Sequence, residues 1–156
     1  MRKMLTMLLV GAFVCEICAW AGLDSKKAMY VGGTVGSIKE GTEGVPSAAD
    51  EKVFVFTYST GKLSIPYERI NDLEYGQKAG RRIGLAIVVN PLLIFSKKRK
   101  HFLTLGYQDE NEKQQAAVFE VGKSVVRVTL ASLEARTGKK IDYQDEEARK
   151  SGLGGP

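Results

Sequence analysis

Between Met29 and Val121 the apolar residues come in short runs divided by glycine, proline or strongly polar turns, which restricts the chain to β-strands rather than a helical bundle. Met29-Tyr30-Val31 leads through Gly32-Gly33 to Thr34-Val35 and Ile38, and Gly41 to Gly44 reads as a turn. Val53 to Tyr58 alternates phenylalanine with smaller residues, the two-residue period of a half-buried strand. Ser59-Thr60-Gly61 turns that run into Leu63-Ser64-Ile65, a hairpin that Pro66 ends because it has no amide proton to give. Ile70 to Tyr75, His101 to Tyr107 and Gln114 to Val121 continue the series, the last two joined by the polar turn Gln108 to Lys113. Six or seven strands are expected.

After Gly122 the period changes. Val126, Leu130 and Leu133 stand at i, i+4 and i+7, one stripe of a helix, while Arg127, Glu134 and Arg136 fall on its wet side. Ser124 stands where a cap is expected, and Gly138 can end the helix in the left-handed conformation. Residues 142–156 carry Asp-Glu-Glu-Ala-Arg-Lys and too little apolar surface to offset their ordering entropy, so a mobile polar tail is expected there.

Strands first and one amphipathic helix last is the order of a mainly β, bent sandwich or partly open barrel plugged by its C-terminal helix. The segment Ile65-Pro66-Tyr67-Glu68-Arg69-Ile70-Asn71-Asp72-Leu73-Glu74-Tyr75 resembles the isoleucine-proline stretch of GRAM-type and bacterial pleckstrin-homology-like domains. Leu133-Glu134-Ala135-Arg136-Thr137-Gly138 is similar to the end of their closing helix. The resemblance spans residues 29–141 and implies a fold. It implies no ligand, since Lys39-Glu40-Gly41-Thr42-Glu43-Gly44 places acids where phosphoinositide binders keep basic residues, and the closing helix lacks their tryptophan.

The N-terminus has the form of an export signal. Arg2 and Lys3 precede an apolar run from Met4 to Val14, and Ala19-Trp20-Ala21 supplies a small-x-small cleavage pattern, so cleavage is expected after Ala21. A spanning anchor would need roughly 20 apolar residues, and Glu16 interrupts this run. Residues 22–28 would then be a linker, and the protein periplasmic or envelope-associated. Both cysteines, Cys15 and Cys18, leave with the signal, so the mature chain must hold together by packing without disulfides. Losing Arg2, Lys3 and Glu16 takes the formal charge from +5 to +4, which is mildly basic. The remaining 135 residues are of ordinary single-domain size.

One stretch does not fit an ordinary barrel strand. Arg81-Arg82 opens it, Ile83 to Phe95 is almost wholly aliphatic apart from Asn90-Pro91, and Ser96-Lys97-Lys98-Arg99-Lys100-His101 closes it. As a membrane-dipping loop it would put Leu92, Leu93 and Phe95 in the interface and Arg81, Arg82, Lys97, Lys98, Arg99 and Lys100 at the phosphates. Each such basic residue contributes about 1 kcal/mol near an anionic surface. Packed on the barrel instead, each large aliphatic side chain contributes roughly 1.5–3 kcal/mol. The partners expected are therefore an anionic membrane surface or an envelope protein.

Other chemistries find less support. The basic run Lys97 to Lys100 has no interleaved aromatics, and an exported protein meets little nucleic acid, so no nucleic-acid partner is expected. Ala117 to Ser124 satisfies a loose phosphate-loop pattern, but Val118, Phe119 and Val121 are strand formers and Glu120 would repel phosphate. His101 is the single histidine and no cysteine remains after cleavage, so no metal centre, cofactor, small-molecule substrate or catalytic residue is expected.

Overall fold

The computed structural model describes Leu23 and residues 26–77 and 100–153. Strands β1 (Ala28–Gly33), β2 (Thr42–Ser47), β3 (Val53–Tyr58) and β4 (Gly61–Pro66) form an antiparallel meander. A 3-10 turn at Tyr67–Arg69 leads into a second meander of β5 (Ile70–Gly76), β6 (Phe102–Gln108) and β7 (Gln114–Val121). β7 returns antiparallel to β1, setting Phe119 opposite Tyr30, and so joins the two meanders. Helix α1 (Val126–Thr137) follows, then a two-residue strand β8 (Asp142–Tyr143) and helix α2 (Glu146–Leu153). The sheet is mixed and not closed, in the order β4-β3-β2-β1-β7-β6-β5-β8, with β8 parallel to β5.

Alternation builds the core. In β3 the rings of Phe54 and Phe56 point inward while Thr57 is exposed, and from β7 Phe119 enters the same space. Phe119 lies 4.9 Å from Phe56, 5.8 Å from Tyr30 and 6.0 Å from Phe54, ring centre to ring centre, in tilted or edge-on geometries that aromatic quadrupoles favour. Helix α1 closes this core with Val126, Leu130 and Leu133, all buried, and Arg136 on its exposed side, as its periodicity predicts. It also lies against the 3-10 turn that joins β4 to β5, where Tyr67 is buried. Gly138 ends α1 at φ 67°, a left-handed conformation, and its amide donates to the Glu134 carbonyl at 3.0 Å.

Three expectations are corrected. The strands number eight, because residues 42–44 belong to β2 rather than to a turn and Asp142–Tyr143 adds β8 beyond the expected six or seven. Gly44 is a point of close approach: a Cβ there would stand 2.4 Å from the Thr57 carbonyl oxygen and 2.7 Å from the Phe56 ring. Two helices, not one, follow the strands. The stretch from Asp142, expected to be a mobile tail, pairs as β8 and continues as α2, whose Ala148 amide donates to Asp145 Oδ1 at 2.7 Å.

Candidate functional site

Of the residues assigned to membrane or partner contact, Arg81, Arg82, Leu92, Leu93, Phe95, Lys97, Lys98 and Arg99 lie outside the described residues, as does the run Ile83 to Phe95. Lys100 is described. Its Nζ stands 2.8 Å from Glu120 Oε2, with the two side chains 17% and 11% exposed. The cation is thereby drawn to a protein carboxylate on β7.

Glu120 belongs to a second face of the sheet. Cross-strand pairing puts Glu120 beside Phe102, Val118 beside Thr104, and Thr104 beside Glu74, all pointing away from the aromatic core. Every one of these residues is buried, yet Phe102 and Val118 are not part of the core cluster. Glu74 accepts a hydrogen bond from Gln144 Nε2 at 2.9 Å, so the start of the C-terminal segment reaches round to this face.

On the core side the chemically distinctive group is Tyr75, His101 and Ser151. The Tyr75 hydroxyl is 2.5 Å from His101 Nδ1 and 3.3 Å from Ser151 Oγ. Burial pushes the phenol up from its ordinary pKa, opposed by the hydrogen bond with Ser151. Burial also holds the imidazole below its ordinary value, with Lys123 adding to the effect and Glu120 opposing it. Both shifts favour the neutral forms, and the imidazole tautomer sets which of the two groups donates. Ser151 Oγ also lies 3.0 Å from the Ala148 carbonyl oxygen, to which it can donate. The group acts as a clamp between β5, the entrance to β6 and α2. Tyr75 had no signal in the sequence, because only the strand register brings it to a histidine on the far side of a long connection.

The phosphate-loop-like run carries no cradle. Residues 117–121 are strand, the Val121 amide donates to the His101 carbonyl at 2.7 Å, and the Gly122 amide donates to the Lys27 carbonyl at 2.8 Å. Among the described residues no three of histidine, cysteine, aspartate and glutamate gather as a metal site would require. No helix among them is long and apolar enough to cross a membrane. No known family model matches the sequence, and no curated protein matches it.

Proposed function

We propose that the protein is an exported, non-catalytic adaptor of the cell envelope, built on a pleckstrin-homology-like domain. The observation that carries this reading is the strand order β4-β3-β2-β1-β7-β6-β5-β8, not closed, with α1 set against the 3-10 turn that joins β4 to β5. That is the arrangement the isoleucine-proline segment and the closing helix imply by resemblance. Outward-facing Val45 on β2 and Val128 on α1, the latter 69% exposed, offer apolar contact points on separate surfaces.

A second reading, a module that binds an anionic membrane surface, is favoured by the aliphatic run between Arg81-Arg82 and Lys97 to Lys100. The ion pair of Lys100 with Glu120 weakens it by engaging one of the six cations. A photo-cross-linking residue at Val45 or Val128, in the exporting cell, should give discrete covalent heteromers. Sedimentation of the mature protein with anionic vesicles, reversed by salt, in the absence of such heteromers would replace the adaptor reading with the membrane one. Mass spectrometry of the same material should give a chain starting at Gly22. A full-length mass in the membrane fraction would overturn export by cleavage.

A further inference from the structure

Helix α2 is seated on the domain through little apolar surface. Of its eight residues only Ala148 and Gly152 are buried, Gly152 lying close against the Tyr143 and Tyr75 rings and Leu130. A free helix of this length is marginal in water, so α2 holds its shape only while it is docked. Its Ser151 Oγ stands 3.3 Å from the Tyr75 hydroxyl, and the same hydroxyl is 2.5 Å from His101 Nδ1. The imidazole lies nearly parallel to the Tyr75 ring, with 5° between the planes and 6.0 Å between the centres. One buried phenol therefore joins the seat of α2 to the chain's single histidine.

We propose that this junction makes α2 an acid-released strap: protonation of His101 loosens the helix and uncovers Tyr75, Leu130 and Tyr143. The added proton puts a cation in a half-buried place. The carboxylate near it is Glu120 on β7, which Lys100 already engages at 2.8 Å. Lys123, in the turn before α1, repels it, Arg127 on α1 acts on its partner Tyr75, and α2 supplies only the neutral Ser151. Burial and Lys123 accordingly hold the imidazole below its ordinary value of 6.5. Hydrating the new charge means opening a layer packed on Tyr75. Helix α2, seated through an alanine and a glycine, yields at lower cost than the strands, which bury Leu73, Leu103 and Phe119. Linkage sets the sign and the limit. Docking is at full strength above pH 6.5, and as pH falls below that value the opening equilibrium rises by at most about tenfold per pH unit. The inference stands independently of the adaptor reading.

Hydrogen exchange of the mature protein, corrected for the intrinsic rate of each amide, reads the opening of α2. The window from about pH 7.5 to about pH 5.5 stays above the range in which the Asp145 carboxylate at the start of α2 titrates. Across it the opening equilibrium of the 149–153 amides should rise severalfold, and His101→Asn should abolish the rise. At every pH these amides should open at least about tenfold more readily than those of β7, which makes the release local. A pH-independent opening, a rise that persists in His101→Asn, or opening only as often as β7 would each overturn the proposal. Should His101→Asn not fold, the coupling is read from the other end, because the effect of protonation on docking equals the effect of docking on protonation. Gly152→Val unseats α2 in the full chain, since a Cβ there would stand 2.7 Å from the Tyr143 ring. The imidazole proton resonance should then titrate closer to 6.5 than in the parent. An unchanged titration, with the α2 amides unprotected, would also overturn it.

Discussion

Replacing Phe119 with alanine removes the ring on which the core converges. The side chain is 1% exposed and meets three other rings, on β1 and β3, within 6.0 Å. A buried Phe→Ala change costs about 3–5 kcal/mol through lost transfer energy and the cavity left behind. Aromatic pairs contribute about 0.5–1.5 kcal/mol each beyond their area, so three lost pairs place this site near the upper end of that range. Against a total stability of about 5–15 kcal/mol the loss is a third or more. Phe119→Leu keeps most of the volume and should cost about 1.5 kcal/mol, so the gap between the two variants measures the cavity. Urea melts followed by far-ultraviolet circular dichroism are the assay, because the sequence from Gly22 onward holds no tryptophan to report on the core. At about 3 °C per kcal/mol the alanine variant should melt 10 °C or more below the parent. A loss under about 1 kcal/mol with an unchanged denaturant slope would refute a core centred on Phe119.

Leu133→Ala should cost about 2–5 kcal/mol and Arg136→Ala under about 0.5 kcal/mol; equal losses in denaturant melts would overturn the helix phase. His101 is held below its ordinary pKa of 6.5, so the unfolded chain takes up that proton first as pH falls. Its contribution is fully present above pH 6.5 and is lost as pH falls from there to the lowered folded-state value. His101→Asn should flatten the decline in melting temperature over that window, and the single imidazole titrates as one resolved proton resonance. Gly33→Ala should cost at least about 1–3 kcal/mol in melts, since φ is +136° and the added Cβ would lie 2.2 Å from the Ala116 carbonyl oxygen; a neutral outcome would mean the bend can be relieved elsewhere.

β3 and the stripe of α1 were legible because large apolar residues recur there at the period of the element that holds them. β2 was not. Thr-Glu-Gly-Val-Pro-Ser has poor strand propensity, and Gly44 signals a turn in sequence although it serves to admit the Phe56 ring. Pro46 is tolerated because the pairing of β2 with β1 stops at Gly44, which leaves β2 bonded on one side at that point. The C-terminal segment is hard to read in sequence for a related reason. It docks through small residues, Ala148 and Gly152, the latter against Tyr143, Leu130 and Tyr75, and a count of large apolar residues does not register them. At the candidate site the basic aliphatic composition was visible in the sequence. The carboxylate that engages Lys100, and the phenol that engages His101, depend on strand register, which the sequence does not display.

The pairing of β1 with β7 sets a kinetic order. The first meander closes through short turns and the second across the connection from Gly76 to Phe102, whereas Ala28 meets Val121 roughly ninety residues away, and closing a loop of that length costs on the order of 4 kcal/mol before any contact at the seam repays it. Folding should therefore form the two meanders before one slow zippering that brings Phe119 against the rings of β1 and β3. Until that step each meander exposes a bare edge, β1 on one and β7 on the other. The interval before the seam forms is when the chain is most open to pairing with another copy of itself.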